Sequence, residues 1–392
     1  MHTTLPRRFY ADPEFYKDEL ERFYFTRWIC AGRADQIPRA GDYFTRALAG
    51  ESAIVTRDGT GAVTALFNVC RHRGTRMCSE PEGHFVDRIQ CPYHAWTYDL
   101  QGRLVAAPHM PSEFCKDEYP LHRAGCEVWD GHIFVHLGVP ARHSPMLAGP
   151  HPRSLALRRS KTRSARAGRR RSPPALRTQL ADLPERFAAW HMADLRLGRR
   201  IVYDVKANWK LIVLNYNECL HCPNLHPALN RLHHYLGADN VEPTACYVGG
   251  AMGFRDGVET MSIDGKRRRE YLPGLSASQR QQVEYFAIYP NLLLSLHPDY
   301  MMTHTLWPRA HDRTEIVCEW HFHPAEMAKP TFHADDAIEF WDVTNREDWW
   351  IAEQSQAGIT SRVYQPGPYS EREALLWSFD QIVRREAGDV TP

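Results

Sequence analysis

Hydrophobic positions change period several times along the chain, and each change marks an element. Between residues 13 and 28, Phe15, Tyr16, Leu20, Phe23 and Tyr24 recur at helical spacing and predict a leading helix. From Tyr43 to about Gly138 short apolar runs follow at 43–48, 52–57, 63–69, 85–90, 95–98 and 132–137. Asp58-Gly59-Thr60-Gly61, Gln101-Gly102 and Asp130-Gly131 separate them with residues that tolerate the positive φ of hairpin turns. This stretch predicts an antiparallel sandwich or small barrel. Past residue 180, a strand at 201–205 and a helix from Asn208 to about Cys222 precede sheet at 285–296, 303–307 and 315–322. A long helix from the Asp335-Asp336 cap to Gly358 and a second at 370–386 close the chain. The overall class is α+β, with the second half an α+β domain around a sheet.

One stretch has no period at all. Residues 142–177 hold eleven Lys and Arg, five Pro, no acidic residue and no Phe, Trp or Tyr. Such a segment buries too little apolar area to offset its ordering entropy, so a disordered insertion is expected, placed at 141–180. Its charge also distorts the total. The chain carries 48 Lys plus Arg against 47 Asp plus Glu, a net +1; without the eleven, 37 basic residues face 47 acidic ones and the remainder is −10. A mildly acidic body argues against nucleic acid as a partner. The basic stretch lacks the interleaved aromatics that stack bases, and it reads as a solvated linker.

No run of about 18 apolar residues is present, so no membrane-spanning helix is expected. Residues 1–25 mix charge and aromatics without an apolar core of the secretory type, so a cytoplasmic protein is expected. Ten dispersed cysteines then read as core thiols or ligands rather than a disulfide scaffold.

Four of the candidate ligands lie in Cys70-Arg71-His72 and, after a gap of 18 residues, in Cys91-Pro92-Tyr93-His94. Two thiolates and two imidazoles on paired loops suit a structural zinc, which would make the chain a zinc-stabilised binding protein. They suit a Rieske [2Fe–2S] cluster better, in which two Cys hold one iron and two His the other. With Cys70-Arg71-His72-Arg73-Gly74 and Cys91-Pro92-Tyr93-His94-Ala95-Trp96, the chain resembles the oxygenase component, the α subunit, of Rieske non-haem iron oxygenases. The resemblance runs from about Pro6 to the C-terminus, broken only by the basic stretch. It implies Cys70 and Cys91 on one iron of the cluster and His72 and His94 on the other. It also implies a lead-in over 1–40, a Rieske domain over 41–140 and a helix-grip catalytic domain over 181–392.

The second constellation is Asn208-Trp209-Lys210, then Glu218-Cys219-Leu220-His221-Cys222-Pro223-Asn224-Leu225-His226-Pro227. The E-x2-H spacing predicts Glu218 and His221 on one helix face, with Pro223 ending that helix and His226 returning from the turn. Two imidazoles and one carboxylate on one face of Fe(II) leave positions open for O₂ and substrate. The resemblance implies His221 and His226 as iron ligands, and Glu218 as a carboxylate bridging a Rieske His of one subunit to an iron-binding His of the next. Cys219-x2-Cys222 invites a redox or zinc reading, which lacks a βαβ context and a second CxxC. In the family the third ligand is an Asp several residues before Gln-x-Gly, here Gln356-Ala357-Gly358. Asp348 fits that placement, with Asp342 and Glu347 as alternatives.

The implied activity is that of an oxidoreductase incorporating O₂. No G-x-G-x-x-G follows a strand and no plant-type ferredoxin cysteine run occurs, so NAD(P)H and flavin are expected only in a separate reductase, with or without a ferredoxin. Residues 290–300 and the Glu347-Asp348-Trp349 run look more like monooxygenases of quaternary ammonium compounds (glycine betaine, choline, carnitine, stachydrine) than like arene dioxygenases, which remain the alternative. Tyr285, Phe286, Tyr289 and Tyr300 are available for an aromatic cage around a cation. A homotrimer is implied by the family's electron path between subunits.

Overall fold

The computed structural model describes residues 2–138 and 173–389, so most of the basic stretch lies outside the described residues. The strands are β1 (Ile29–Arg33), β2 (Asp42–Leu48), β3 (Glu51–Arg57), β4 (Val63–Phe67), β5 (Glu82–His84), β6 (Arg88–Gln90), β7 (Thr97–Asp99), β8 (Leu104–Ala106), β9 (Arg123–Trp129) and β10 (His132–His136) in the first half. An antiparallel sheet of order β1-β10-β9-β4-β3-β2-β5 packs against a small β6-β7-β8 sheet. Between the two sheets lies a core of Ile54, Leu66, Ile89, Trp96 and Tyr98 that also takes in Cys70 and Cys91.

The second half carries β11 (Arg196–Val205), β12 (His233–Asn240), β13 (Tyr247–Phe254), β14 (Gln282–Ile288), β15 (Leu292–Leu296), β16 (Met301–Ala310) and β17 (Arg313–Phe322). They form one antiparallel sheet of order β11-β17-β16-β15-β14-β13-β12. The principal helices are α1 (Pro13–Glu19), α2 (Leu176–Leu180), α3 (Trp209–Tyr216), α4 (Cys222–Leu225), α5 (Pro227–Leu232), α6 (Asp335–Ile359) and α7 (Ala374–Glu386). The 25-residue α6 lies across one face of this sheet and buries Phe340, Trp341, Trp349 and Ala352 in a core shared with Val283, Ala287, Leu293 and Met302. The mixed fold matches the expected class.

The lead-in is part of that core. Leu5, Phe9, Tyr10, Phe23 and Tyr24 are buried with Trp209 and Phe379. Fully buried Lys210 is held by both Glu19 oxygens at 2.7 and 2.8 Å, and Trp209 Nε1 donates to Glu19 at 2.8 Å. A charge taken out of water needs such pairing. The Asn208-Trp209-Lys210 triplet therefore anchors α3 at its start. Asn208 caps α3 through Lys210 N, and its own N–H donates to Gln356 of α6 at 2.9 Å.

Three sequence expectations change. The leading helix is α-helical only to Glu19 and continues as a π-turn over Leu20–Tyr24. Helix 208–222 breaks at Asn217, whose amide donates to Val213 O at 2.6 Å and ends α3 one residue earlier. Pro223 accordingly opens α4 rather than closing a helix, a first-turn position that needs no amide proton. The insertion does not reach residue 180: Leu176 and Leu180 of α2 are buried, Pro174 O accepts from Trp28 Nε1 at 2.7 Å, and Arg177 pairs with Glu185.

Candidate metal centres

The two cysteine loops repeat one backbone design. Cys70 N donates to Thr75 O and Gly74 N to Cys70 O; Cys91 N donates to Trp96 O and Ala95 N to Cys91 O. Each loop thus closes over five residues behind its Cys. The fifth residue is left-handed in both, Gly74 at φ +72° and Ala95 at φ +55°. Glycine takes that conformation freely, whereas alanine holds it only because the loop is fixed at both ends.

These loops bring the ligands together as two pairs. The Cys70 thiol contacts Cys91 in the buried core, where burial above all, with Cys91 adding to it, pushes its pKa up against hydrogen bonds from His72 N and Tyr98. The His72 and His94 rings are 4.7 Å apart and half-buried at the tips. Among the described residues, no three of these four place ligand atoms within 4.8 Å of one another. A tetrahedral zinc, with bonds of about 2.0–2.3 Å, needs all four within that span. Two separated pairs fit a two-iron cluster. His72 Nδ1 is buried without a partner, the state of a ligand atom facing an ion rather than a hydrogen bond. Two residues without a role in the sequence reading support this site. Trp96 stacks on His72 at 4.8 Å, and Tyr98 Oη reaches Cys70 Sγ at 3.6 Å while accepting from Arg71 N.

In the second half, His221 and His226 flank α4, and Asp348 comes from the middle of α6. His226 Nε2 lies 2.8 Å and His221 Nε2 3.4 Å from the same Asp348 oxygen. Their ring centroids are 5.1 Å apart, near perpendicular. This is the one group of three such side chains among the described residues whose ligand atoms converge within 4.8 Å. The rear nitrogens are also taken: Nδ1 of His221 meets Glu218, and Nδ1 of His226 meets Glu347 at 2.6 Å. An ionised carboxylate only accepts, so each Nδ1 carries the proton and each Nε2 is directed at the common point. Burial alone would lower the His221 pKa, but Asp348 and Glu218 outweigh it and raise it to about 9. Asp348 is held below the usual carboxylate range by the two imidazoles despite its burial. The same negative charge that protonates these rings would attract a dication.

The structure thus distinguishes the acidic candidates on α6. Asp348 faces the histidines, and Glu347 stands behind His226 rather than beside Asp348. Asp342 turns away, accepting from Tyr203 Oη at 2.7 Å and Arg346 at 3.0 Å. Glu218 keeps its pairing with His221, though from a turn rather than a helix face, and its second oxygen accepts from Leu220 N. Cys219 and Cys222 are joined by a disulfide that encloses Leu220 and His221, so this CxxC is bonded.

Of the four aromatic cage candidates, two point elsewhere. Phe286 packs on Phe187 and Tyr247, and Tyr289 on Phe23 and Phe379. Tyr285 lies edge-on to Tyr216, Trp341 and His297, with its hydroxyl buried and unpartnered. Tyr300 backs this wall, stacked on His297 at 4.0 Å and accepting from Trp341 Nε1 at 2.7 Å.

Comparison with known proteins agrees with both centres. Residues 27–122 match the Rieske [2Fe–2S] domain, and residues 192–388 match the ring hydroxylating alpha subunit (catalytic domain). The chain is 29% identical over 399 residues to the glycine betaine monooxygenase oxygenase subunit of Pseudomonas aeruginosa strain UCBPP-PA14, covering 94% of this chain and 85% of that one. It is 31% identical over 229 residues to the carnitine monooxygenase oxygenase subunit of Escherichia coli K12, covering 58% and 53%. In fold it is similar to a quaternary ammonium Rieske monooxygenase, with a TM-score of 0.76 at 23% identity over 98% of this chain and 95% of that one. The zinc-stabilised binding protein is thereby set aside, and a Rieske cluster and a non-haem iron are the cofactors the matched domains bring. With a Rieske domain ahead of an iron-binding catalytic domain, the chain belongs to the ring-hydroxylating α-subunit family of oxygenases.

Proposed function

We propose that this chain is the terminal oxygenase of a multicomponent system that hydroxylates a small quaternary ammonium compound at an N-methyl group. The observation that carries the reading is the convergence of His221 Nε2, His226 Nε2 and Asp348 on one point, in a chain whose Cys70/Cys91 and His72/His94 pairs suit a cluster. When bound, the cluster supplies electrons singly and the iron supplies O₂ activation.

The protein's own residues do the remaining work. Glu218 and Glu347 hold the imidazole protons at Nδ1, so that both rings present Nε2. Glu218 also bridges to a Rieske histidine of a neighbouring subunit in a homotrimer. Tyr285 and Trp341 offer ring faces to the substrate cation, and the buried Trp341 helps exclude water. Overall, R₃N⁺–CH₃, O₂, two electrons and two protons give R₃N⁺–CH₂OH and water; the hydroxymethyl group then leaves as formaldehyde, releasing a proton and the tertiary amine. The electrons come from NAD(P)H through a separate flavin reductase. Among the described residues no helix is long and apolar enough to cross a membrane, and a cytoplasmic location is part of the proposal.

The relatives named for glycine betaine and carnitine support the substrate class over arenes. The test is a turnover screen with a surrogate reductase. Formaldehyde from N-methylated substrates is expected, and cis-diols from arenes with no formaldehyde would overturn the assignment.

A further inference from the structure

We propose that Cys219 and Cys222 are a redox-active dithiol site that sets the position of Glu218; the inference rests on the reading of Glu218 as the electron bridge. All ten cysteines of the chain fall among the described residues, and eight, the cluster candidates Cys70 and Cys91 among them, are in no disulfide. The single disulfide closes the turn between α3 and α4, beside Glu218 and around His221.

The ring formed by residues 219–222 encloses Leu220 and His221. Both oxygens of Glu218 rest on that ring, one accepting from Leu220 N and the other meeting His221 Nδ1. Cys222 N donates to Cys219 O at 3.1 Å across the same turn, and Cys222 O accepts from His226 N at 2.9 Å. The bond between the sulfurs therefore fixes the turn that carries His221, with Glu218 held against it and His226 hydrogen-bonded to its end. Opening it leaves that turn closed only by weak hydrogen bonds, and the Glu218–His221 contact loosens.

The two sulfurs differ in access. Cys222 is 2% exposed, whereas Cys219 is only partly buried. A dithiol reductant attacks Sγ of Cys219 and breaks the bond to Cys222, whose thiolate takes a proton. The second thiol of the reductant then displaces Cys219 as a thiol and leaves the reductant as a disulfide. In the reverse direction, the Cys219 thiolate attacks hydrogen peroxide to give a sulfenic acid and water, and Cys222 displaces a second water to reform the bond. The net change is two thiols and one peroxide to one disulfide and two waters. Disulfides in reducing compartments are mostly of this reversible kind.

Linkage makes the proposal measurable without turnover. What the bond contributes to the Glu218 contacts, those contacts contribute to the bond. In dithiothreitol buffers of fixed ratio, read by alkylation and mass spectrometry, Glu218→Ala should shift the thiol–disulfide equilibrium toward the dithiol by about fivefold. In the loaded wild-type enzyme, single-turnover reoxidation of the pre-reduced cluster should be slower by about fivefold in the dithiol form, and peroxide should restore it. Cys219→Ser should run at the slow rate in both buffers. An equilibrium unmoved by Glu218→Ala, or thiols that peroxide does not join, overturns the proposal. Glu218→Gln separates the two readings. If it reoxidises at the wild-type rate, the bridge and this proposal fall together. If it is slow while the dithiol and disulfide forms run alike, only this proposal falls.

Discussion

Glu347 gives the sharpest prediction, because it stands beside the proposed ligand Asp348 in sequence yet faces a different atom. Its carboxylate meets Nδ1 of His226, a ring only 1% exposed, at 2.6 Å. Glu347→Ala removes the acceptor that fixes the tautomer, and the buried ring loses its one partner on that side. Loss of such an outer partner lowers metal affinity by about 10–100-fold. That range corresponds to about 1.4–2.8 kcal/mol. Glu347 is itself one-third exposed, so water screens part of its charge, and about tenfold is the expected loss. Glu347→Gln keeps an oxygen acceptor and should lose less. The assay is anaerobic competition for Fe(II) against a chromogenic chelator, with the cluster spectrum as an internal control of folding. Asp342→Ala serves as the contrast and should bind iron as the wild type does, since its carboxylate is occupied by Tyr203 and Arg346. Unchanged affinity in Glu347→Ala would refute the orienting role. Complete loss of iron, equal to that of Asp348→Ala, would make Glu347 a ligand instead.

His221→Ala should lose mononuclear iron in metal analysis while keeping the visible spectrum of the cluster, since the two sites share no residue. Tyr98→Phe removes a donor to Cys70 Sγ, which favours the reduced cluster, so the midpoint potential should fall by ~40 mV for a bond worth about 1 kcal/mol; a potentiometric titration checks it, and a rise would reverse the argument. Asp380 is buried on α7, accepts from Tyr369 Oη at 2.8 Å and leaves Oδ1 unpartnered; burial pushes its pKa up to about 7. Its folded pKa lies above its unfolded one, so its contribution is full below about pH 4 and is lost as pH rises through 7. Asp380→Asn should therefore be more stable than the wild type at pH 8, by up to about 4 kcal/mol, with the gap closing toward pH 4. Thermal melts across pH measure this, and a pH-independent difference would exclude Asp380 as its source.

The fold was legible where periodicity was strong. The alternating runs that gave β2, β3, β4, β6, β7 and β10, and the capped pattern that gave α6, depend on contacts close in sequence. Strand β13 went unread because Gly249 and Gly250 leave little apolar alternation, and β12 because His233–Asn240 is mostly polar. The Cβ of a residue at 249 would sit 2.3 Å from Tyr285 O, so it is a neighbouring strand, not local propensity, that requires glycine there. The cluster loops were legible as motifs, because the Cys and His of each loop lie within four residues. Asp348 needed the family, since nothing in helical spacing distinguishes it from Asp342 and Glu347. What separates them is the neighbour each meets, the histidines flanking α4 for Asp348 and Glu347 and Tyr203 of β11 for Asp342. The break at Asn217 was invisible for a similar reason, a side chain folding back on its own helix.

The iron-site residues His221, His226, Glu347 and Asp348 stand on the helical side of the fold, on helices and the turns between them. Tyr285 and His297 of the aromatic wall stand on the sheet side, on or beside its strands. Helix α6 joins the two, since it carries both Asp348 and the wall's Trp341. A substitution on β14 can change which molecule fits without moving an atom that holds the metal. For directed evolution, the sheet is the place to diversify and the helical turn the place to leave alone.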